Sequence, residues 1–251
     1  MTLVVPARAK LNLDLTVLQR TPDGFHNVRT HMQAVALHDL IELTRSDSTS
    51  ITISGQHHVD AAVNSVRQAH LALQDEAGRK LPTAFHLEKR IPPGSGMGGA
   101  SSDAAAVLRG LAMIYNISAD LTKVAASIGA DVPFFLRGGA AIAEGRGERL
   151  APTPTKPEWF AIAWPEIELS TAAVYSAWDE VNGEGPNQLT AAAVHVEPRL
   201  RDFAARLGHG WQMTGSGSAF FLRCVDERTA QQAIAKLDGW TAVTRSVGAW
   251  A

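Results

Sequence analysis

Length, composition and charge are those of an ordinary globular chain. The protein has 251 residues, 45% hydrophobic and 19% charged, and its 23 basic and 25 acidic side chains leave a net charge of −2. This balance, without a basic run, argues against nucleic acid as a partner, and no apolar run approaches the ~18–20 residues of a membrane helix. The one cysteine, Cys224, is typical of a reducing compartment. We expect a cytoplasmic protein with no membrane, nucleic-acid or obligate protein partner.

The first part of the chain is predicted to begin with strands. Polar and apolar side chains alternate over residues 10–18, so that Lys10 and Asn12 share the polar face of a strand. A Thr-Pro-Asp-Gly turn follows at 21–24. Further strands are predicted at 32–43, 50–54, 85–89 and up to residue 150, and helices at 61–77, 101–115 and 121–128, the last ended by Gly129.

A proline-rich segment is the best candidate for a domain boundary. Residues 151–157 carry three prolines in seven positions, which favours a linker. Because strands and helices are mixed without regular alternation, we expect an α+β protein with domains at 1–151 and 152–251. Beyond the linker, the pattern predicts strands at 159–164 and 219–224 and helices at 172–178, 197–207 and 227–237.

Glycine is clustered rather than abundant. Ten of the 21 glycines fall at 94–99, 138–147 and 215–217. The first cluster belongs to Pro-Pro-Gly-Ser-Gly-Met-Gly-Gly-Ala-Ser-Ser-Asp at 92–103, directly before a predicted helix. Such a loop lets backbone N–H groups and the positive helix end approach a phosphate without a Cβ in the way. A plain glycine turn with Ser101 as the helix cap is the alternative.

Two familiar phosphate-binding motifs fit this loop poorly. A Walker-type loop ends in Gly-Lys-Ser/Thr, and this stretch contains no lysine. A dinucleotide fingerprint needs a buried parallel strand before the loop, whereas His86 and Glu88 alternate with apolar residues there. Asp120 stands at the right distance for a ribose contact, but between two predicted helices. Both alternatives are therefore weak.

Together with further segments, this loop resembles the GHMP kinase family of small-molecule ATP-dependent kinases. The segments are Pro-Ala-Arg-Ala-Lys-Leu-Asn-Leu at 6–13, Pro-Asp-Gly-Phe-His at 22–26, Gly-Ala-Asp-Val-Pro-Phe-Phe-Leu-Arg-Gly at 129–138 and Thr-Gly-Ser-Gly-Ser at 214–218. The resemblance covers essentially the whole chain. It implies a two-lobed GHMP kinase fold, with an ATP-binding N-terminal domain like domain 2 of ribosomal protein S5 and a C-terminal ferredoxin-like α/β substrate lobe.

Within that family, the 6–26 and 129–138 segments point to kinases whose acceptor is a cytidine diphosphate-linked methylerythritol. The implied reaction moves the γ-phosphate of ATP to the 2-hydroxyl of that alcohol, in the non-mevalonate isoprenoid precursor pathway. It implies Mg²⁺ as well, with ligands that the sequence does not identify. The rival interpretations are a sister kinase for another alcohol, such as homoserine or mevalonate, and a non-catalytic ATP-binding module.

The family's catalytic pair falls on Lys10 and Asp131. The resemblance implies that Asp131 accepts the proton of the acceptor hydroxyl, while Lys10 stabilises charge on the hydroxyl and phosphoryl oxygens. Taken alone, Lys10 would be an ordinary solvated strand residue and Asp131 an ordinary turn aspartate.

The resemblance also assigns binding residues to each side of the cleft. Phe25 and Tyr175 are expected to sandwich a cytosine ring, to which His26 hydrogen-bonds, and the 215–217 loop is expected near the substrate's phosphates. The implied ATP contacts are Pro92, Pro93, Gly94, Ser95, Gly96, Met97, Gly98, Gly99, Ala100, Ser101, Ser102, Asn64 and Lys89. The implied substrate contacts are Asn12, Phe25, His26, Thr171, Tyr175, Gly215 and Ser216.

The chain departs from the family pattern at four places. Met97 and Ala100 replace the usual leucine and glycine of the loop, and Ala100 requires a negative φ. Phe25 replaces the commoner tyrosine, which removes a hydroxyl and keeps the ring. The region 182–211 is shorter than the family pattern leads us to expect.

Overall fold

The computed structural model describes residues 1–22, 24–57, 59–60 and 65–250. In this part of the chain there are two β-sheets, of seven and four strands, and eight helices. The irregular order of strands and helices confirms the predicted α+β class. None of these helices is long and apolar enough to cross a membrane.

The N-terminal part of the chain forms the larger sheet and the helices that cover it. Its strands are β1 (Thr2–Asn12), β2 (Thr16–Arg20), β3 (His26–Arg45), β4 (Ser50–Gly55), β5 (Thr83–Lys89), β6 (Ala140–Gly145) and β7 (Arg149–Thr153). Its helices are α1 (Ser65–Ala77), α2 (Gly99–Tyr115), α3 (Leu121–Ile128) and α4 (Val132–Arg137).

One long strand, β3, organises this sheet. It pairs antiparallel with β1 and β2 along one edge and with β5 and β6 along the other. Strand β4 joins β5 in parallel, and β7 joins β6 antiparallel. The register between β1 and β3 shifts between Arg8 and Lys10. Such an irregularity bends a strand and re-aims its side chains, and here it falls at the predicted catalytic lysine.

Helices α1 to α4 bury one face of the sheet under a continuous apolar core. Phe85 of β5 and Phe134 of α4 are among its largest fully buried side chains. Gly110 lets α2 approach β3 closely, because a Cβ there would lie 2.7 Å from Cδ1 of Leu43. This packing fixes the direction of α2, whose first turn faces the candidate site.

The C-terminal part of the chain builds a smaller sheet with helices around it. The sheet is antiparallel, with the strands in the order β11, β8, β10, β9. These elements are β8 (Trp159–Trp164), α5 (Thr171–Val181), α6 (Thr190–Val196), α7 (Arg199–Leu207), β9 (Gln212–Met213), β10 (Phe220–Cys224), α8 (Glu227–Ile234) and β11 (Trp240–Arg245).

The two sheets share a core beside the site. Phe160 of β8 and Phe221 of β10 belong to one buried cluster with Leu11 of β1. Because Leu11 stands between Lys10 and Asn12, this cluster anchors the strand that carries both of those side chains. The proline-rich segment connects β7 to β8, and the domain limits 1–151 and 152–251 stay a prediction.

Most predicted elements are present, with shifted ends. The predicted strand at 10–18 is interrupted, since β1 ends at Asn12 and β2 begins at Thr16. The four apolar residues predicted to share its buried face are nevertheless all buried: Leu11, Leu13, Leu15 and Val17. Helix α3 matches the prediction at both ends, and the predicted 61–64 portion of α1 lies outside the described residues.

Other predictions need correction. Helix α2 begins at Gly99 rather than near Ser101, with Gly98 as its cap, so the alternative role of Ser101 as cap is wrong. Ala100 therefore lies within the helix, where φ is negative. Helix α4 stands in a stretch predicted to be strand, and the sequence did not predict α6 or β11.

Candidate active site

A cleft of about 820 Å³ lies where the glycine loop, the end of β1 and the start of α5 meet. It gathers most of the predicted site residues from distant parts of the chain. Met97, Ser102, Phe25 and His26 do not line it, and Asn64 lies outside the described residues. The predicted residues that line it are Lys10, Asn12, Lys89, Pro92, Pro93, Gly94, Ser95, Gly96, Gly98, Gly99, Ala100, Ser101, Asp131, Thr171, Tyr175, Gly215 and Ser216.

The glycine loop presents backbone to this cleft. Gly98 caps α2 at φ 72°, in the left-handed region, with no side-chain hydrogen bond to the helix. The first turn of α2, from Gly99 to Ser101, lines the cleft. Early N–H groups of a helix have no partner within it and carry its positive dipole end. In contrast, Met97 is buried in the core between the sheets, so only its backbone is near the cleft.

The glycine loop at 215–217 and its neighbours hold the 94–99 loop in place. The backbone N–H of Ala219 donates to the carbonyl of Ser95 at 3.0 Å. A Cβ on Gly96 would lie 2.2 Å from the carbonyl oxygen of Thr214, a distance that only glycine permits. The two loops, which the sequence suggested would serve ATP and substrate separately, are therefore in direct backbone contact.

Lys10 is buried beside Asp131, with 3.8 Å between Nζ and Oδ2. Burial lowers the pKa of Lys10 below its ordinary value, and the charge of Asp131 offsets only part of that effect. The Lys10 ammonium also donates to Oδ1 of Asn12. A buried cation that is incompletely compensated is well suited to stabilise new negative charge beside it.

Asn12 orients that lysine. Its backbone N–H donates to Thr214 Oγ1 at 2.9 Å, and its Nδ2 donates to Thr30 Oγ1 at 2.8 Å, which leaves Oδ1 facing the ammonium. A Cβ on Gly215 would lie 3.1 Å from both Lys10 Nζ and Asn12 Oδ1, so the loop closes tightly over the pair. The predicted contact of Asn12 with substrate stays a prediction.

Asp131 is the N-cap residue of α4, yet its side chain makes no capping hydrogen bond. The side chain is about one third exposed, at 33%, and lines the cleft. Gly147 approaches it from the β6–β7 turn, because a Cβ there would lie 3.3 Å from Oδ1. The carboxylate is therefore free of a structural role in the helix and is held at the surface of the cleft.

Lys89 belongs to a buried ion triad under the glycine loop. Its ammonium donates to Asp39 and, at 2.9 Å, to Asp103. Oδ1 of Asp39 also accepts the backbone N–H groups of Arg90 at 2.6 Å and Ile91 at 2.8 Å. Since an ammonium has three donors, one is left for the predicted contact with the nucleotide.

The triad carries one positive charge for two carboxyl groups. Burial alone would lower the pKa of Lys89, but the charges of Asp103 and Asp39 outweigh it and raise that pKa. Burial, reinforced by Asp39, raises the pKa of Asp103 to about 8 despite the ammonium. Asp103 is the less bonded carboxyl, with Oδ1 lacking a hydrogen-bond partner among the described residues. We therefore assign the retained proton to Asp103.

The predicted cytosine side contains a small polar and aromatic group. His26 is buried, and its Nε2 lies 2.7 Å from Oδ1 of Asp179. Its ring stacks on Tyr175 with centroids 5.8 Å apart and planes 15° apart. Burial and the charge of Asp131 raise the pKa of the Tyr175 hydroxyl, which therefore stays protonated. One face of Tyr175 is thus taken by His26.

Phe25 stands at the edge of the same region. It is 55% exposed, and the Arg146 guanidinium lies 3.9 Å from its ring centroid. Arg146 itself lines the cleft. At the start of α5, Thr171 Oγ1 and Ser216 Oγ are 2.9 Å apart, so this helix is connected to the glycine loop at 215–217.

Four residues of this region were not predicted from the sequence: Asp39, Asp103, Asp179 and Arg146. Asp179 could have been found, because it follows Tyr175 by four positions and so shares its helix face. Asp103 is the last residue of the 92–103 motif, in which no role was assigned to it. Asp39 lies in a strand 50 residues before its lysine, and no local signal connects the two.

Comparisons with known proteins agree with this geometry. Residues 64–139 match the model of the GHMP kinases N terminal domain. The 4-diphosphocytidyl-2-C-methyl-D-erythritol kinase of Exiguobacterium sibiricum is 34% identical, over 96% of this chain and 95% of that protein. The corresponding kinase of Pseudomonas syringae pv. tomato is 35% identical over 87% of this chain and 84% of that protein.

Solved structures give the same result. A crystal structure of 4-(cytidine 5'-diphospho)-2C-methyl-D-erythritol kinase is similar with a TM-score of 0.84 and 32% identity, over 98% of this chain and all of that one. A mevalonate kinase shares the fold alone, at a TM-score of 0.64 and 14% identity. With its glycine loop and Lys10–Asp131 pair, this chain belongs to the 4-diphosphocytidyl-2-C-methyl-D-erythritol kinases, a branch of the GHMP kinase family.

Proposed function

We propose that this protein transfers the γ-phosphate of ATP to the 2-hydroxyl of 4-diphosphocytidyl-2-C-methyl-D-erythritol, in the non-mevalonate pathway to isoprenoid precursors. The observation that carries the proposal is the placement of Lys10 and Asp131, 3.8 Å apart, in a cleft that also receives the glycine loop. We place the enzyme in the cytoplasm, on the basis of the sequence and its single cysteine.

Asp131 and Lys10 divide the chemistry at the acceptor hydroxyl. Asp131 accepts the hydroxyl proton as the oxygen bonds to the γ-phosphorus and the bond from that phosphorus to the β–γ bridging oxygen breaks, which releases ADP. Its oxygens are available for this because they are not engaged in capping α4. Lys10, kept in place by Asn12, stabilises negative charge on the hydroxyl and phosphoryl oxygens. In phosphoryl transfer most of the catalysis comes from such positioning and electrostatics.

The glycine loop binds the phosphates of ATP through its backbone. Gly96 and Gly98 have φ values of 77° and 72°, which other residues adopt only with strain. The loop therefore aims main-chain N–H groups and the start of α2 at the phosphates. Backbone contact with the glycine loop at 215–217 holds the 94–99 loop in this conformation in the absence of nucleotide.

Mg²⁺ fits the residues beside this loop. Enzymes hold Mg²⁺ through one or two carboxylates together with substrate phosphates and water. Oδ1 of Asp103 is a buried oxygen without a hydrogen-bond partner among the described residues, and it would hold the ion together with the phosphates. The ion would displace the proton assigned to Asp103, because a carboxyl group binds a metal in its deprotonated form. Bound there, the ion would neutralise charge on the transferred phosphate.

The cytidine end of the acceptor is read by the Phe25, His26 and Tyr175 group. The open face of Tyr175 and the ring of Phe25 offer stacking surfaces, each contributing ~1–3 kcal/mol per stacked base. His26 is fixed by Asp179 through Nε2, which leaves Nδ1 as the ring nitrogen for the predicted hydrogen bond to the base. This group favours a cytidine acceptor over homoserine or mevalonate.

An acceptor panel tests the assignment. ATP turnover is measured with the cytidine substrate, homoserine and mevalonate at equal concentrations. We expect phosphorylation of the cytidine substrate alone. Phosphorus NMR of the product should locate the new phosphate on the 2-hydroxyl. Preference for either simple alcohol would overturn the substrate assignment while leaving the kinase family intact.

The variant Asp131→Asn separates a kinase from a non-catalytic ATP-binding module. We expect ATP binding to persist and turnover to fall by about 10²–10³-fold, the scale of a lost general base. The matched control is Asp202→Asn, an exposed aspartate of α7, which should keep full activity. Turnover close to normal in Asp131→Asn would remove Asp131 from the mechanism.

A further inference from the structure

The segment that follows β11 crosses back to the larger sheet and ends against α4. Val247 N–H donates to the carbonyl of Ala34 at 3.0 Å, and Ala249 forms a bridge with Gly138. Gly138 and Gly139, both with positive φ, make room for it, since a Cβ on Gly139 would lie 2.9 Å from the backbone nitrogen of Ala249. This explains half of the 138–147 glycine stretch, to which the sequence assigned no chemistry.

Trp250 completes the end of α4. Its backbone N–H donates to the Arg137 carbonyl at 2.9 Å, and its indole N–H donates to the Phe135 carbonyl at 3.0 Å. The last carbonyls of a helix have no partners within it, and a helix of only six residues is marginal by itself. Trp250 therefore supplies bonds on which α4, and the Asp131 at its start, depend.

Two arginines fix the indole. The guanidinium carbons of Arg8 and Arg109 lie 3.7 and 3.8 Å from the Trp250 ring centroid. Arg8 comes from β1, two residues before Lys10, and also donates to the carbonyl of Gly248 at 3.2 Å. Arg109 comes from α2 and donates to the carbonyl of Pro6. The ring is thereby locked against both elements that lead into the active site.

The contact continues to the reacting groups through Phe135. A Cβ on Gly98 would lie 2.7 Å from Cζ of Phe135 and 3.2 Å from Cγ of Lys10. The phenyl ring therefore packs under the glycine loop beside the catalytic lysine. Trp250 holds the backbone of Phe135. Because α4 carries Asp131 at its start, Trp250 acts on the spacing between Asp131 and Lys10.

We propose that residues 246–250 form a positioning strap and that Trp250 is a positioning residue for phosphoryl transfer, acting through α4 on Asp131. The proposal rests on the kinase function given above. It predicts a loss in kcat rather than in nucleotide affinity, because the strap touches the helix that carries the base and not the cleft itself.

The test uses Trp250→Phe and Trp250→Ala in the full chain, with kcat and KM for ATP measured at saturating acceptor. Since small misplacement of a catalytic group costs up to ~10²-fold, we expect kcat to fall about 10- to 100-fold in Trp250→Ala. Trp250→Phe keeps a ring between the arginines and should lose less, with KM for ATP within about twofold in both. The control Trp211→Phe, in the core around the smaller sheet, should keep native kcat.

A double-mutant cycle with Asp131→Asn separates positioning from general destabilisation. If the strap acts through Asp131, Trp250→Ala should change the residual turnover of Asp131→Asn by less than about twofold. An equal loss in both backgrounds, or native kcat in Trp250→Ala, overturns the proposal. If the native enzyme does not phosphorylate the cytidine acceptor, the proposed function is wrong and not the strap proposal. The kcat ratios of the Trp250 variants to the native enzyme are then measured with the acceptor that the panel identifies.

Discussion

The two buried lysines of the cleft are opposites in their electrostatic surroundings. Lys10 has one carboxylate at 3.8 Å, and burial prevails, so its pKa is lowered. Lys89 has two carboxyl groups in hydrogen-bond contact, and these prevail over burial, so its pKa is raised. An ammonium held by two partners stabilises the fold beneath the loop, while one held weakly keeps its field available to a substrate.

The largest effect on stability should come from removing Lys89, the lysine that is held by two carboxyl groups. Lys89→Met leaves the buried Asp39 carboxylate without its cation, and the free energy of unfolding should fall by about 3–5 kcal/mol. Urea denaturation measures it. The control Lys123→Met, an exposed lysine of α3, should be near neutral. A loss of less than ~1 kcal/mol in Lys89→Met would contradict the structural role assigned to the triad.

Removing Lys10, the lysine with a single carboxylate nearby, should lower catalysis and leave stability almost unchanged. Lys10→Met should lower kcat by about 10²–10³-fold, the scale of a lost electrostatic donor at a reacting oxygen. Its stability should change by less than ~1 kcal/mol, because the remaining Asp131 carboxylate is 33% exposed and stays hydrated. Turnover and urea denaturation are measured on the same preparation. Large destabilisation would mean that Lys10 is a second structural lysine.

Within the triad, the two carboxyl groups should not be equivalent. Asp39→Asn removes a charged acceptor from three donors and should cost about 1.5–3 kcal/mol. Asp103→Asn resembles the protonated acid that the folded protein retains, so at pH 7 it should cost less than ~1 kcal/mol or stabilise the protein. Equal losses in the two variants would refute the assignment of the retained proton to Asp103.

The sign of the pH dependence follows from the raised pKa of Asp103. The folded protein keeps this proton up to about pH 8, whereas the unfolded chain releases it near the ordinary value of 3.8. The contribution of Asp103 to stability is therefore complete below pH 3.8 and is lost as the pH rises through about 8. Asp103→Asn should become steadily more stable relative to the native protein over this window.

The smallest effect concerns the alkaline limb of kcat/KM. The proposed mechanism needs the charged form of Lys10, whose pKa lies below its ordinary value in the free enzyme, so kcat/KM should decline with a midpoint below 10.5. Lys10→Arg carries a guanidinium that stays protonated, and whatever activity it retains should lack this limb. A limb that is unchanged in Lys10→Arg would assign it to another group.

Two parts of this site were predictable from local patterns, while the roles of its residues were implied by the resemblance to the GHMP kinase family. The alternation at 10–18 placed Lys10 and Asn12 together, and four glycines in six positions marked the phosphate loop. These signals depend on neighbours within a few positions, where periodicity and glycine spacing are informative. The α+β class followed in the same way from the irregular order of strands and helices.

What escaped prediction depends on distant contacts. Helix α4 has only six residues, too few for a 3.6-residue period to emerge from its apolar run. Asp39 meets Lys89 only because β3 and β5 pair, and no local rule sets that register. No local pattern marks Trp250, since its partners on β1, α2 and α4 are brought together by the complete fold.

The contact between the two glycine loops bears on how this enzyme could be divided. The carbonyl of Ser95 and the Cα of Gly96 are held by residues 214–219, on the far side of the proline-rich connection. The proposed nucleotide cradle is therefore formed by both halves of the chain and not by the first half alone. Exchanging the C-terminal half for that of a relative would carry over half of the cradle as well. A functional chimera would need its loops matched as a pair.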